Sequence, residues 1–95
     1  MKTDPITLQS IIKRAPDLLA TNLDDETVLM CIENGAYYGM ENTARRIWEL
    51  LESPRNVADL VTQLAEEYQV SPDVCEPDIL DYLRELYSEG LVIVA

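Results

Sequence analysis

The chain has 95 residues, the size of one small domain, so a single compact unit over residues 1–95 is expected. Seven Lys and Arg stand against 18 Asp and Glu, a net charge of −11, and there is no histidine. Such a surface repels phosphates, which argues against nucleic-acid binding, and the commonest general base and metal ligand are missing.

The rest of the composition narrows the field further. Cys31 and Cys75 lie far apart with no C-x-x-C spacing. They read as reduced, small apolar residues, not as zinc ligands or nucleophiles. Three glycines leave no way to write a phosphate-cradling loop. No catalytic residue, no metal site and no cofactor is therefore expected, and the composition speaks against an enzyme. No apolar run approaches the ~20 residues that a membrane span needs. No signal-peptide core follows Met1-Lys2, so no membrane partner and a cytoplasmic location are expected.

In chain order, the part up to Met40 reads as strands. Residues 6–8 and 11–13 alternate weakly around Gln9-Ser10, between Pro5 and Pro16. Residues 18–23 follow, then the turn-like Asp24-Asp25. The clearest signal is residues 27–33, then Asn34-Gly35, then residues 36–40. Asn-Gly between two apolar runs marks a hairpin, because a type I′ turn needs positive φ at both central positions. A two-residue loop would pair Glu33 with Ala36, Ile32 with Tyr37, Cys31 with Tyr38, Met30 with Gly39 and Leu29 with Met40. One face then carries Val28, Met30, Ile32 and Tyr37, the other Leu29, Cys31, Tyr38 and Met40. Both faces are apolar, so the second calls for a cover, either the N-terminal strand or a partner.

From Glu41 or Asn42 the period turns helical. Ala44, Ile47, Trp48, Leu50 and Leu51 fall within one broad arc, and Ser53-Pro54 ends the helix. Asn56 is a natural N-cap for a second helix from Val57 to about Tyr68, with Leu60, Val61, Leu64, Ala65 and Tyr68 on one stripe. Ser71 and Pro72 make a good start signal for a third. Pro77 places the start of that helix proper near Glu76, after a separate turn. Gly90 fits the position just past its end, and residues 91–94 leave as a short strand or packed tail. On this helix Tyr82, Cys75, Leu86, Ile79, Leu83, Tyr87 and Leu80 span an arc of about 160°, interrupted by Glu76. One packed face needs roughly 100°, so the surplus flanks a groove or is wedged between elements.

Residues 34–51, N-G-A-Y-Y-G-M-E-N-T-A-R-R-I-W-E-L-L, resemble the PqqD-like family. The shared pattern is a Gly, paired aromatics, a second Gly and an Ile-Trp-x-Leu-Leu helix. Val57, Leu60, Leu64, Tyr68, the acidic helix at residues 78–86 and Glu89-Gly90-Leu91-Val92 also match its spacing. Met40-Glu41 stand where the family usually has Leu-Asn, and Ala44 where Gly is common. Residues 71–75 and the closing Leu-Tyr-x-Glu-Gly-Leu look most like the lasso-peptide branch.

The resemblance implies a RiPP recognition element of α+β class. Its fold is winged-helix-like, a three-stranded antiparallel sheet (about residues 6–40) followed by three helices (about 41–90). It implies binding of a precursor leader peptide as an added strand, in a cleft against the third helix. Transferred by position, the peptide-binding strand is Ala36, Tyr37, Tyr38, Gly39 and Met40, and the helix face is Ile79, Tyr82, Leu83 and Leu86. In lasso pathways such a protein delivers the precursor to a leader protease, before an ATP-dependent cyclase acts. β-Augmentation draws affinity from main-chain hydrogen bonds and needs no catalytic group. Three rival readings stand beside this one. They are a PqqD-type peptide chaperone for a radical enzyme, a structural subunit, and a winged-helix transcription regulator. The last lacks a basic recognition helix, since Arg84 is the third helix's one cation.

Overall fold

Strand alternation in the first part of the chain becomes part of two three-stranded antiparallel sheets rather than one. The computed structural model describes residues 6–95. In order the elements are β1 (Ile11–Arg14), β2 (Leu18–Leu23), β3 (Glu26–Cys31), β4 (Tyr37–Glu41) and α1 (Asn42–Leu50). Then come β5 (Arg55–Asn56), α2 (Val57–Tyr68), α3 (Pro72–Ser88) and β6 (Val92–Val94). One sheet has the order β2-β3-β4 and the other β5-β1-β6. The α+β class and the succession of an antiparallel sheet and three helices agree with the expected winged-helix-like fold.

Residues 6–8 form no strand. The Ser10 N–H donates to the Thr7 carbonyl at 3.1 Å, and the Thr7 N–H donates to Ser10 Oγ at 2.9 Å. These local bonds offer the backbone a turn in place of a ladder. Ile6 is still fully buried, its carbonyl accepting from Arg84 Nη2 at 3.1 Å. Pro5 and the Met1-Lys2 start lie outside the described residues. The N-terminal strand does not cover the second face of the hairpin sheet. Instead β1 pairs with β5 and β6, Ile12 opposite Arg55 on one side and Val94 on the other.

The β3–β4 hairpin forms with a register two residues away from the predicted one. Met30 pairs with Tyr37, Leu29 with Tyr38, Val28 with Gly39 and Thr27 with Met40. The cause is a longer loop. The Cys31 N–H donates to the Ala36 carbonyl at 2.9 Å, and the Gly35 N–H returns to the Cys31 carbonyl at 2.8 Å. Of Asn34 and Gly35 only the glycine has positive φ, 70°, so a type I′ turn is not made. Asn34 Oδ1 instead accepts from the Ala36 N–H at 2.9 Å, and the Ile32 N–H bonds the Asp17 carbonyl at 3.2 Å. That last bond continues the β2–β3 ladder one residue past the Leu18–Cys31 pair, on the side of β3 away from β4. A shift of two keeps every residue on its face.

The inner face, Thr27, Leu29 and Met40, is buried against the helices. Thr27 is the buried polar residue among them, and its hydroxyl donates to Asn22 Oδ1 at 2.8 Å. The outer face carries Leu19, Leu23 and the 71% exposed Tyr37 beside half-buried Val28 and Met30.

α1 opens at Asn42, whose φ of 54° suits asparagine, and buries Ile47, Trp48 and Leu50. The Arg14 guanidinium lies 4.6 Å from the Trp48 ring centroid and donates to the Trp48 carbonyl, clamping β1 to α1. Asn56 caps α2, accepting from the Asp59 N–H at 3.3 Å. α3 is one helix from Pro72, so its expected start near Glu76 is corrected. Pro77 is tolerated because its missing donor and its ring fall on the Asp73 carbonyl, in an exposed first turn that can adjust. Gly90, at φ 78°, closes α3. Leu91 donates to the Leu86 carbonyl at 2.9 Å and Gly90 to the Tyr87 carbonyl at 3.1 Å, a Schellman pattern. Ile79, Leu83 and Leu86 of α3 join Leu60 and Leu64 of α2 in the core.

Candidate functional site

β4 is an edge strand, paired on one side with β3. Cys31 bonds Ala36, so by antiparallel alternation the backbone groups of Tyr37, Gly39 and Glu41 point away from β3. An unpaired row of this kind is a template for a further strand. Its side chains alternate too: Tyr38 and Met40 face inward, toward α3.

Between β4 and α3 lies a cleft of about 160 Å³, lined by Tyr38, Gly39, Met40, Tyr82, Glu85, Leu86, Glu89 and Leu91. The Tyr38 hydroxyl donates across it to Glu89 Oε2 at 3.2 Å. Desolvation first, and the Glu89 contact next, raise the Tyr38 phenol above its ordinary value. Burial, with the Glu85 charge behind it, does the same to Tyr82. Both phenols are therefore neutral donors at physiological pH.

Tyr82 is also a wall of a second, larger pocket of about 340 Å³. Thr43, Ala44 and Ile47 of α1 line it, with Leu64 and Tyr68 of α2, Val70, and Cys75, Asp78 and Ile79 of α3. β4 thus runs past α3 in the opposite sense, Tyr38 beside Glu89 and the start of α1 beside Asp78. Together the two cavities make one groove with an apolar floor. Among the described residues no group of three His, Cys, Asp or Glu is placed to bind a metal ion.

The residues singled out from the sequence divide three ways. Tyr38, Gly39, Met40, Tyr82 and Leu86 come together in the smaller cleft, and Ile79 joins Tyr82 in the larger pocket. Ala36 sits at the end of the hairpin loop, and Tyr37 turns to the opposite sheet face. Leu83 has 0% exposure and lines neither cavity; it lies beneath the groove as a core residue. Sequence reasoning missed Glu85, Glu89 and Asp78. Their signal was available: with Tyr82 they recur at helical spacing on one side of α3. Thr43, Tyr68 and Val70 carried no such signal, because three separate elements bring them together.

The family described as Coenzyme PQQ synthesis protein D (PqqD) matches residues 26–92. No curated protein matches the chain significantly. Among solved structures, TbiB1 in complex with the TbiA(beta) leader peptide is 32% identical with a TM-score of 0.78. That match covers 84% of this chain and 93% of TbiB1. The tRNA-dependent lantibiotic dehydratase MibB from Microbispora sp. 107891 is 16% identical, with a TM-score of 0.63. It covers 93% of this chain but only 8% of the dehydratase, a likeness of fold alone. Among the described residues no helix is long and apolar enough to cross a membrane. The matched residues span β3, β4 and all of α3, the walls of the groove included, and the chain belongs to the PqqD family.

Proposed function

We propose that the chain is a RiPP recognition element that binds the leader segment of a ribosomally made precursor peptide without itself catalysing a reaction. The leader pairs with β4 as a fourth strand and sets alternate side chains into the cleft formed with α3. The observation that carries this reading is the unpaired β4 edge standing directly beside a cleft with an apolar floor and a polar rim. Strand addition needs both: backbone groups for affinity and pockets for selectivity. The 32% identity to TbiB1, itself solved with a leader peptide, supports the same reading. Tyr38, Gly39, Met40, Tyr82, Leu86 and Ile79 are then the contact residues, and Tyr37, Gly39 and Glu41 offer backbone, while both backbone groups of Ala36 are already bonded, to Cys31 and Asn34.

In the lasso-peptide form of this function the bound precursor is delivered to a leader protease, and a cyclase acts next. The match to the PqqD family favours a second destination, a radical enzyme that receives the peptide from its chaperone. The two share the binding mode and differ in the receiving enzyme. The test of binding is titration of the fluorescein-labelled TbiA(beta) leader, and of leaders from short reading frames beside this gene, with duplex DNA as the control. Saturable leader binding with none to DNA is expected; DNA binding without leader binding would return the transcription-regulator reading. A protease and cyclase encoded alongside favour the first destination, a radical enzyme the second.

A further inference from the structure

The groove has an apolar floor, but the α3 side of its rim is acidic. Asp78, Tyr82, Glu85 and Glu89 form one stripe along α3, each about a turn from the next. Glu85 and Glu89 line the smaller cleft and Asp78 the larger pocket, and no Lys or Arg lines either. Arg84, the one cation of α3, is engaged elsewhere: Nη2 bonds the Ile6 carbonyl at 3.1 Å and Nη1 lies 3.8 Å from Asp81.

The placement of these acids works against the helix. A helix C-terminus carries partial negative charge and favours cations, yet the last turn of α3 holds no basic residue. Glu85 and Glu89 therefore add to the negative pole where stability alone would select Lys or Arg. Beside them stand the rings of Tyr38 and Tyr82, whose faces attract cations.

We propose that the segment seated on β4 carries two basic side chains, two residues apart, that lie over Glu85 and Glu89. The inference rests on the strand-addition reading and names the chemistry of the ligand. On an added strand the side chains facing α3 recur every second residue, about 6.6–6.8 Å apart. Glu85 and Glu89 are four residues apart on a helix, a rise of about 6 Å. The two repeats match. The aliphatic stems of Lys or Arg would lie on Met40 and Leu86 while their heads reach the carboxylates. A neutral or acidic segment would gain the same backbone bonds and forgo, or oppose, these contacts.

The test is selection of a random linear peptide library displayed on phage, run in parallel on the wild-type chain and on E85Q/E89Q. Both substitutions are on exposed positions and relieve repulsion at the helix end, so the variant stays folded. The wild type should enrich Lys or Arg at two alternate positions beside an aliphatic residue; the variant should not. A synthetic peptide from the wild-type pool should bind the variant about 2–10-fold more weakly, as expected for two exposed ion pairs. Absence of basic residues from the wild-type pool, or equal enrichment by the variant, overturns the charge match. N-methylation of alternate backbone amides in the enriched peptide separates the two ideas. Binding retained after methylation overturns strand addition. Binding lost by methylation, in a pool without basic preference, overturns only the charge match. If the wild type enriches nothing, both are overturned.

Discussion

Leu83 and Tyr82 are neighbours on α3 with opposite expected behaviour, and the pair tests how the groove is built. Leu83 has 0% exposure, so Leu83→Ala leaves a cavity in the core that also holds Leu60, Leu64 and Leu86. Core Leu→Ala changes cost about 3–5 kcal/mol, a large share of the roughly 5–15 kcal/mol that holds a domain together. At 4–8 °C per kcal/mol for a domain of this size, the melting temperature should fall by more than about 12 °C. Leu83→Asp adds an unpaired buried carboxylate, several kcal/mol more, and should leave the chain unfolded. Tyr82 is half-buried on the groove wall. Tyr82→Ala should fold with a smaller loss and bind leader or selected peptide more than about 10-fold more weakly, as a truncated aromatic anchor does. The assay is thermal unfolding by circular dichroism, with fluorescence anisotropy titrations in the cold, where Leu83→Ala is still folded. A Leu83→Ala variant melting within about 4 °C of wild type but unable to bind would place Leu83 on the groove surface and refute the reasoning.

Arg14→Ala removes a guanidinium stacked 4.6 Å from the Trp48 centroid and bonded to the Trp48 carbonyl. A loss of about 1–3 kcal/mol is expected in urea unfolding, and an unchanged midpoint would show that the clamp is idle. Bonds from Arg46 first, and from Gln63, hold the Glu67 carboxyl down to about 2. Since the folded value lies below the ordinary 4.5, this stabilisation is complete above that pH and is lost as pH falls through about 2. Glu67→Gln should therefore lack part of the acid-side decline in urea midpoint; identical profiles would refute the assignment. Cys31 and Cys75 are both free and partly accessible, so mass spectrometry after alkylation without reductant should show two adducts per chain.

What was legible in the sequence were features specified by local chemistry. Asn56 marks a helix start because its side chain accepts from a free N–H, and Ser71 because the proline after it has no N–H to leave unpaired. Gly90 marks an end because only glycine is comfortable at its φ of 78°. The face assignments of the hairpin survived an error in register, because a shift of two preserves alternation. The loop itself was misjudged because bonds within it, Gly35 N–H to the Cys31 carbonyl and Ala36 N–H to Asn34 Oδ1, close a longer turn than the Asn-Gly pair alone suggests. The β5-β1-β6 sheet was illegible because its strands come from the beginning, the middle and the end of the chain, and two-residue β5 has no period to read. In the site, paired tyrosines on β4 and the wide apolar arc of α3 were visible, whereas the burial of Leu83 depends on which side of that arc α2 occupies.

The charge of the chain also bears on its open edge. An open edge strand invites pairing with another copy, and proteins usually blunt it with lysine, proline or a bulge. Tyr37, Tyr38, Gly39 and Met40 offer none of these devices. Glu26 stands directly opposite Glu41, and its carboxylate leans over Gly39, where an added Cβ would meet Oε2 at 2.7 Å. With Glu85 and Glu89 on the facing helix, carboxylates stand on both sides of the edge. Two copies meeting edge to edge would bring these acids together, each on a chain of net charge −11, and like charges facing one another oppose such pairing. A basic segment meets the opposite field. The edge is guarded against its own kind by the same carboxylates that would draw in a cationic leader, so it can stay unblocked for a ligand without a lysine or proline that would also exclude that ligand.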